Sequence, residues 1–485
     1  MKRNHYLIFV AILFGALFAR IGPVNKPLLG NFSSYQTATA MMARFIANEG
    51  LTAIAQPKTN LLINGKPAIH MLYIPGAAAA AGYLWKIFGF SLDFWGRFQA
   101  SFFTMLSSLL IYLIVRRHFD EVTGLMSCFF FNAFPLSFVY GQSFMNEALA
   151  FFLVMLSSWL LFNFKINAYK VAAAGLIVSL AFLMRIHFLC LVPALLFLIW
   201  YNAPKNKILH ITLFSLCIAI PVAGWYLHTY HVASVADNNI TSIFAQENKH
   251  YASFPHPLFF KAVFYKDIID KLAGVCLNPI GFTLMIAGVL LCRPEKKEHW
   301  AAILWLLGSL SVISLLPQKV YDHNFYFYPV LFPASFFASV ILLKVIKPDR
   351  RVYLILFSLF FILVSARYFM NPAFKYSVEL SAVPEAGYFV QKNTPPDSRI
   401  IVSPCTYDQL YYCDRNGWVF NIEGANADID RFKEYISEGA DYYITADMVN
   451  LRKNRDFYEF IDKNYKNISP GGNYAVYVLN DKRKK

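Results

Sequence analysis

"MLYIPGAAAAAGYLWKIFGF", residues 71–90, is long enough to cross a bilayer, yet Pro75, Gly76 and a weakly apolar alanine run interrupt it. Whether it crosses fixes the side of every later loop, and the loop charges decide. If 71–90 does not span, one set of connections holds Lys2, Arg3, Arg116, Arg117, Lys165, Lys170, Lys205, Lys207, Arg293, Lys296, Lys297, Lys347, Arg350 and Arg351. The short loops opposite hold only Arg185 and Lys319. That asymmetry meets the positive-inside rule, and a span at 71–90 would reverse every later loop and break it. The stretch therefore reads as a helix packed at the outer face, with the N-terminus cytoplasmic.

The rest of the composition agrees with a membrane protein. Of 485 residues, 57% are hydrophobic, 17% aromatic and only 15% charged, well under the charge content of soluble domains. Apolar runs near the ~20 residues that cross a hydrocarbon core fall at about 6–22, 98–115, 123–140, 146–164, 170–184, 187–202, 208–228, 274–292, 299–316, 326–346 and 351–369, about eleven in all. The first run has the basic start and apolar middle of a signal peptide, but no small-x-small cleavage site follows and Arg20 closes it, so it reads as a retained span. The net charge of +15 is explained by cytoplasmic anchors, which prefer anionic headgroups, and no nucleic-acid motif is present.

Upstream, residues 31–50, "NFSSYQTATAMMARFIANEG", place Tyr35, Thr39, Met42 and Ile46 along one helical stripe with Arg44, Asn48 and Glu49 elsewhere, the pattern of a surface helix. Downstream, the composition shifts near residue 371. A helix, a Pro-Pro turn and β-rich runs at 399–402 and 409–412 lead to a helix stopped at Gly439, the strand "DYYIT" and a closing strand in "NYAVYVLN". The expected architecture is a mainly α polytopic domain over 1–370, its first outer loop at about 23–97, followed by a small extracytoplasmic α/β domain over 371–485. Five of seven cysteines lie in or beside spans, where they read as small apolar residues. Cys405 and Cys413, both in the outer domain, either bridge adjacent strands or remain free thiols.

Ionisable groups at membrane depth or at span ends are costly to bury and mark function. On the outer side they are Asn146 and Glu147, Arg185 and His187, and Lys319, Asp322, His323 and Tyr326. A cationic, hydroxyl-bearing cluster at headgroup level suits a lipid phosphate, which arginine binds bidentately. Lys319 reads equally as a snorkelling anchor.

The stretches "SYQTATAMMARFIANEG", 71–97, "YGQSFMNEALAFF", "FLMRIHFLCLVPAL" and "DHNFYFYPVLFP" occur in an order that resembles the polyprenyl-phosphate-sugar-dependent glycosyltransferases of the dolichyl-phosphate-mannose protein mannosyltransferase type. The resemblance covers most of the chain. It implies a hexosyl- or pentosyltransferase that moves a sugar, with inversion, from a polyprenyl-phosphate donor to a lipid, glycan or protein acceptor at the outer face of a bacterial inner membrane. Arg185, His323, Tyr326, Arg44 and His187 would then meet the donor phosphate. Relatives carry an acid in the first loop as base. Here Ala38 stands at that position, and Tyr73 stands where some relatives have Glu. The remaining acids are Glu147, in place of the Asp of a Pro-Asp motif, Asp93 and Glu49. Glu147 is the expected base, with Asp93 as the second catalytic candidate. No metal triad is evident, and a divalent ion stays open as a cofactor. Two other readings also stay open: a catalytically silent relative that binds lipid-linked sugars or scaffolds a pathway, and a lipid-linked sugar transporter. No inverted repeat supports the transporter.

Overall fold

The computed structural model describes residues 3–163, 165–203, 205–239, 256–291, 296–347, 349–374, 378–403, 407–422 and 427–480. Among them, four helical stretches are long and apolar enough to cross a bilayer: Leu92–His118, Lys207–Val235, Lys297–Leu315 and Asn324–Val345. Ala262–Cys276 and Asn278–Leu291 make a further candidate as a pair bent by 109°. Shorter apolar helices cover Leu7–Ile21, Glu147–Phe162, Ala168–Met184, Ile186–Asn202 and Val352–Tyr368. The chain is an integral membrane protein. Helical structure stands at each of the eleven expected places, but eleven crossings are not reached by helix length and apolarity. One reason is visible at 123–140, which is broken into Glu121–Ala133 and Pro135–Tyr140. Pro135 has no N–H to continue the ladder and holds Phe134 extended, at φ −66 and ψ 134.

The chain divides into two units. The first comprises Met1–Val24, Gly96–Tyr230 and Phe244–Pro372, and the second Asn25–Trp95, His231–Ile243 and Ala373–Lys485. In the first, helices Asn278–Leu291 and Leu331–Val345 approach so closely at Gly288 that a Cβ there would stand 2.4 Å from the Phe337 carbonyl oxygen. Arg20, expected only to close the first run, is 1% exposed. Its guanidinium donates to the carbonyls of Ala16 at 3.1 Å and Asn132 at 3.2 Å and to Ser137 Oγ at 3.3 Å. The Asn132 carbonyl lies in the last turn of Glu121–Ala133, so the cation meets the negative end of that helix.

The second unit is built on a sheet of seven strands: β1 (Lys58–Ile63), β2 (Lys66–Ile69), β3 (Ile400–Ser403), β4 (Gly417–Val419), β5 (Tyr442–Thr445), β6 (Lys466–Asn467) and β7 (Ala475–Val478). Their order is β2-β1-β4-β3-β5-β7-β6, parallel from β1 to β5 and antiparallel at both edges. The strands expected at 399–402, in "DYYIT" and in "NYAVYVLN" are β3, β5 and β7. The sheet is larger than the C-terminal sequence alone indicates, because β1 and β2 come from the first loop. The β-rich run at 409–412 is instead part of helix Tyr407–Cys413. Aromatic residues favour strands only weakly when tertiary bonds oppose them, and here the hydroxyls of Tyr411 and Tyr412 are bound to Asp93.

Residues 71–90 form helix Gly76–Phe88, whose 13 residues reach about 20 Å at 1.5 Å each, short of a crossing. It packs on helix Ser33–Glu49. Contact is close at Gly82, where a Cβ would lie 2.5 Å from the Ala43 carbonyl oxygen. Ser33–Glu49 is not the half-wet helix its stripe suggests: ten of its 17 residues are buried, Ala38 and Ala43 among them. It packs on Tyr407–Cys413 as well. There the buried Asp408 carboxylate accepts from Ser33 Oγ and Thr37 Oγ1, each at 2.7 Å.

Candidate functional site

Three segment ends of the first unit converge. Glu147 opens helix Glu147–Asn163, where the positive end of the helix favours a carboxylate. Arg185 caps the C-terminus of Ala168–Met184 and leads into the 3₁₀ turn Ile186–Leu191, which carries His187. His323 follows the short helix Pro317–Asp322 and opens the 3₁₀ segment Asn324–Val330, which carries Tyr326.

Arg185 Nη2 lies 2.6 Å from Glu147 Oε1, with side-chain exposures of 10% and 0%. The guanidinium also covers the Phe325 ring at 5.2 Å. Tyr326 packs between two imidazoles, 4.7 Å from His187 and 6.4 Å from His323, the latter nearly parallel at 27°. His323 also stacks on Phe325 at 5.1 Å. The structure thus brings together Glu147, Arg185, His187, His323 and Tyr326. Burial, followed by the nearby Lys319, Lys271 and Arg185 charges, holds His323 down to about 4 against the opposing pull of Asp322. His323 is therefore a neutral imidazole at pH 7 and a hydrogen-bonding group, not the cation expected from sequence.

Several participants carry no sequence signal. The Tyr140 hydroxyl donates to Asn324 Oδ1, and Trp305 Nε1 donates to the Pro329 carbonyl at 2.9 Å, fixing the Asn324–Val330 segment from two sides. Lys271 Nζ donates to the carbonyls of Val320, at 3.3 Å, and Tyr321, covering the C-terminal end of Pro317–Asp322 beside His323. All three are held by partners tens of residues or more away in sequence, which periodicity does not reveal.

The other two expected site residues, Arg44 and Asp93, belong to the second unit and have partners there. Asp93 is 9% exposed and accepts from the hydroxyls of Tyr411 at 2.6 Å and Tyr412 at 2.9 Å. Burial and the Asp93 charge push both phenols well above their usual range. With both oxygens engaged, Asp93 anchors Tyr407–Cys413, and this geometry gives no support to a catalytic role. Arg44 pairs with Asp414 and lies over the Tyr411 ring at 4.9 Å. Cys413 carries a free, buried thiol, which burial pushes up to about 12. Cys405, its partner in the bridged alternative, lies outside the described residues. Among the described residues no three His, Cys, Asp or Glu side chains group to hold a metal ion.

Residues 68–225 match the model of the dolichyl-phosphate-mannose-protein mannosyltransferase family. No curated protein matches the sequence. Among solved structures, the chain is similar to ArnT from Cupriavidus metallidurans bound to undecaprenyl phosphate, with TM-score 0.66 and 13% identity over 99% of both chains. It is also similar to the oligosaccharyltransferase AglB from Archaeoglobus fulgidus in complex with an inhibitory peptide and a dolichol-phosphate, with TM-score 0.56 and 12% identity over 99% of this chain and 74% of that one. Residues 68–225 thus match the mannosyltransferase family model, within a chain whose fold is similar to that of ArnT and AglB.

Proposed function

We propose that the protein transfers a sugar from a polyprenyl-phosphate donor to an acceptor at the outer face of the membrane, and that Arg185 binds the donor phosphate. The buried Arg185–Glu147 pair beside His187, His323 and Tyr326 carries this reading. A guanidinium held from one side by a carboxylate is pre-aligned, so its remaining N–H groups meet a phosphate with little ordering cost. Tyr326 and the neutral imidazole of His323 supply further donors. In the transfer, the anomeric carbon exchanges its bond to the phosphate oxygen for one to the acceptor oxygen, and the proton of the acceptor hydroxyl passes to the released phosphate or to solvent. The electron pair leaves with the phosphate, whose growing charge Arg185 offsets.

In this reading Glu147 orients Arg185, because a fully buried carboxylate already paired at 2.6 Å is poorly placed to take a proton from an acceptor. The two roles part experimentally. As an orienting group, Glu147→Gln weakens donor binding. As a base, it leaves binding intact and stops turnover. The direct test is binding of undecaprenyl phosphate to the purified protein. Arg185→Ala removes it and Arg185→Lys, which loses the fork, is intermediate; an Arg185→Ala protein that binds like the parent refutes the site. One observation favours a silent relative that binds lipid-linked sugars: Ala38, at the position of the family's acid, is 4% exposed within helix Ser33–Glu49. Sugar transfer by membranes containing the protein, absent with Arg185→Ala, decides against it.

A further inference from the structure

The sheet of the second unit contains an open seam. β1 and β4 touch at one register point, Leu61↔Gly417, beside which Asn60 Nδ2 donates to Asn416 Oδ1 at 3.0 Å. Beyond it each strand stays extended on its outer neighbour, β1 on β2 through Leu62↔Pro67 and Ile63↔Lys66, β4 on β3 through Ile401↔Trp418 and Val402↔Val419. Beside the seam lies a cleft of about 620 Å³, lined by residues 61–65, by Trp418 and Val419 of β4, and by Arg431, Tyr435 and Glu438 from the helical segment that follows.

Strand alternation says which main-chain groups face this cleft. On β4, Asn416 accepts from Ile400 and Phe420 donates to Val402, so even-numbered positions bond β3 and both main-chain groups of Val419 point into the cleft. On β1, Ile63↔Lys66 closes the hairpin, and the carbonyl of Pro67 is taken by Asn238 Nδ2 at 2.6 Å. The Leu62↔Pro67 pair therefore exchanges no main-chain bonds, and the Leu62 carbonyl points away from β2. Among the described residues, neither the Leu62 carbonyl nor Val419 has a ladder partner across the cleft.

We propose that this seam binds an extended polypeptide segment by strand addition. Its main chain would bond Val419 on one side and the Leu62 carbonyl on the other, as peptides add to exposed sheet edges elsewhere. The size fits. At about 3.3 Å per residue, 4.8 Å between strands and 10 Å between layers, a strand residue occupies about 160 Å³, so the cleft takes about four. A residue with an aromatic or branched side chain suits the Trp418–Tyr435 wall. A carbohydrate is disfavoured because the Tyr435 ring is already engaged: Trp418 stacks on it at 5.4 Å and the Arg431 guanidinium lies over it at 4.7 Å.

The test uses the full-length protein in detergent and a dye-labelled Thr-Val-Tyr-Val-Thr peptide followed by fluorescence anisotropy, with hydrogen exchange at Val419. Saturable binding that slows exchange at Val419 is expected. Methylating the peptide nitrogens of either register should weaken it about tenfold, the loss of one or two main-chain bonds, because one register's N–H groups meet the Val419 carbonyl and the other's the Leu62 carbonyl. Val419→Pro, which removes the N–H, should abolish binding while Val419→Ala retains it. The methylated peptides make the same test on unaltered protein should Val419→Pro not fold. No saturation up to about 1 mM, undiminished binding of the methylated peptides, or displacement of the peptide by a cello-oligosaccharide would each overturn the proposal.

Discussion

Arg185 and Glu147 allow a stability test that separates a working ion pair from an incidental one. Their closest atoms are 2.6 Å apart, with one side chain fully buried and the other 10% exposed. With charge centres near 4 Å, an effective dielectric of 20 gives about 4 kcal/mol of attraction. Removing one partner of such a pair leaves an uncompensated buried charge and costs about 3–5 kcal/mol. Glu147→Gln should cost that much, and Arg185→Met somewhat less because an orphaned carboxylate can take up a proton. The double variant Glu147→Gln/Arg185→Met leaves two neutral groups, so it should lose less than either single change plus about 1 kcal/mol, a large coupling term. Reversible unfolding of all four proteins in one detergent gives the cycle, and undecaprenyl phosphate binding to each gives the functional axis. The double variant should regain stability and still fail to bind. Additive single costs, or single costs below about 1 kcal/mol, would refute the claim that the pair is buried and mutually dependent.

Three further outcomes follow from the geometry. Because the folded His323 titrates near 4 and the unfolded imidazole near 6.5, the unfolded chain takes the proton first, so stability falls as pH drops through that window. His323→Gln should flatten that part of the unfolding-midpoint profile, and identical slopes would contradict it. Gly82→Ala places a Cβ 2.5 Å from a main-chain oxygen that cannot swing aside, which should cost about 1–3 kcal/mol and speed hydrogen exchange in Ser33–Glu49 and Gly76–Phe88; unchanged exchange would be the contrary result. Cys413, buried and pushed up to about 12, should resist iodoacetamide at pH 8 in the folded protein and react once it is unfolded, as peptide mapping by mass would show; ready alkylation in the folded state would be against it.

Local signals carried the helical part of this fold. Each apolar run coincides with helical structure, and the interrupted stretch at 71–90 is a helix too short to cross, because Pro75 and Gly89 bracket it. Arg185, His323 and Tyr326 stand out in the sequence because polar groups at span ends are few. What local reading missed was non-local. Nothing in "KTNLLINGKPAI" announces that its strands are completed by Gly417, and the tyrosines of 409–412 looked β-forming until Asp93 claimed their hydroxyls. The pairing of Glu147 is not legible in the sequence, because Arg185, 38 positions on, meets it only in three dimensions. Lys271 and Arg20 bind main-chain carbonyls at helix ends, a role that depends on where another helix stops.

The bond between Asn60 and Asn416 joins positions 356 residues apart, and this sets an order of events during synthesis. At about 5–20 residues per second, the hairpin of β1 and β2 is made roughly 20–70 seconds before β4 exists to lie beside it. Every apolar helix between them is translated in that interval. The hairpin must wait with one edge bare, and a ribosome that stops early releases a chain whose membrane segments are complete but whose sheet cannot close. Such a chain keeps an unpaired strand exposed, and the hairpin gains its neighbour only once Gly417–Val419 have been made.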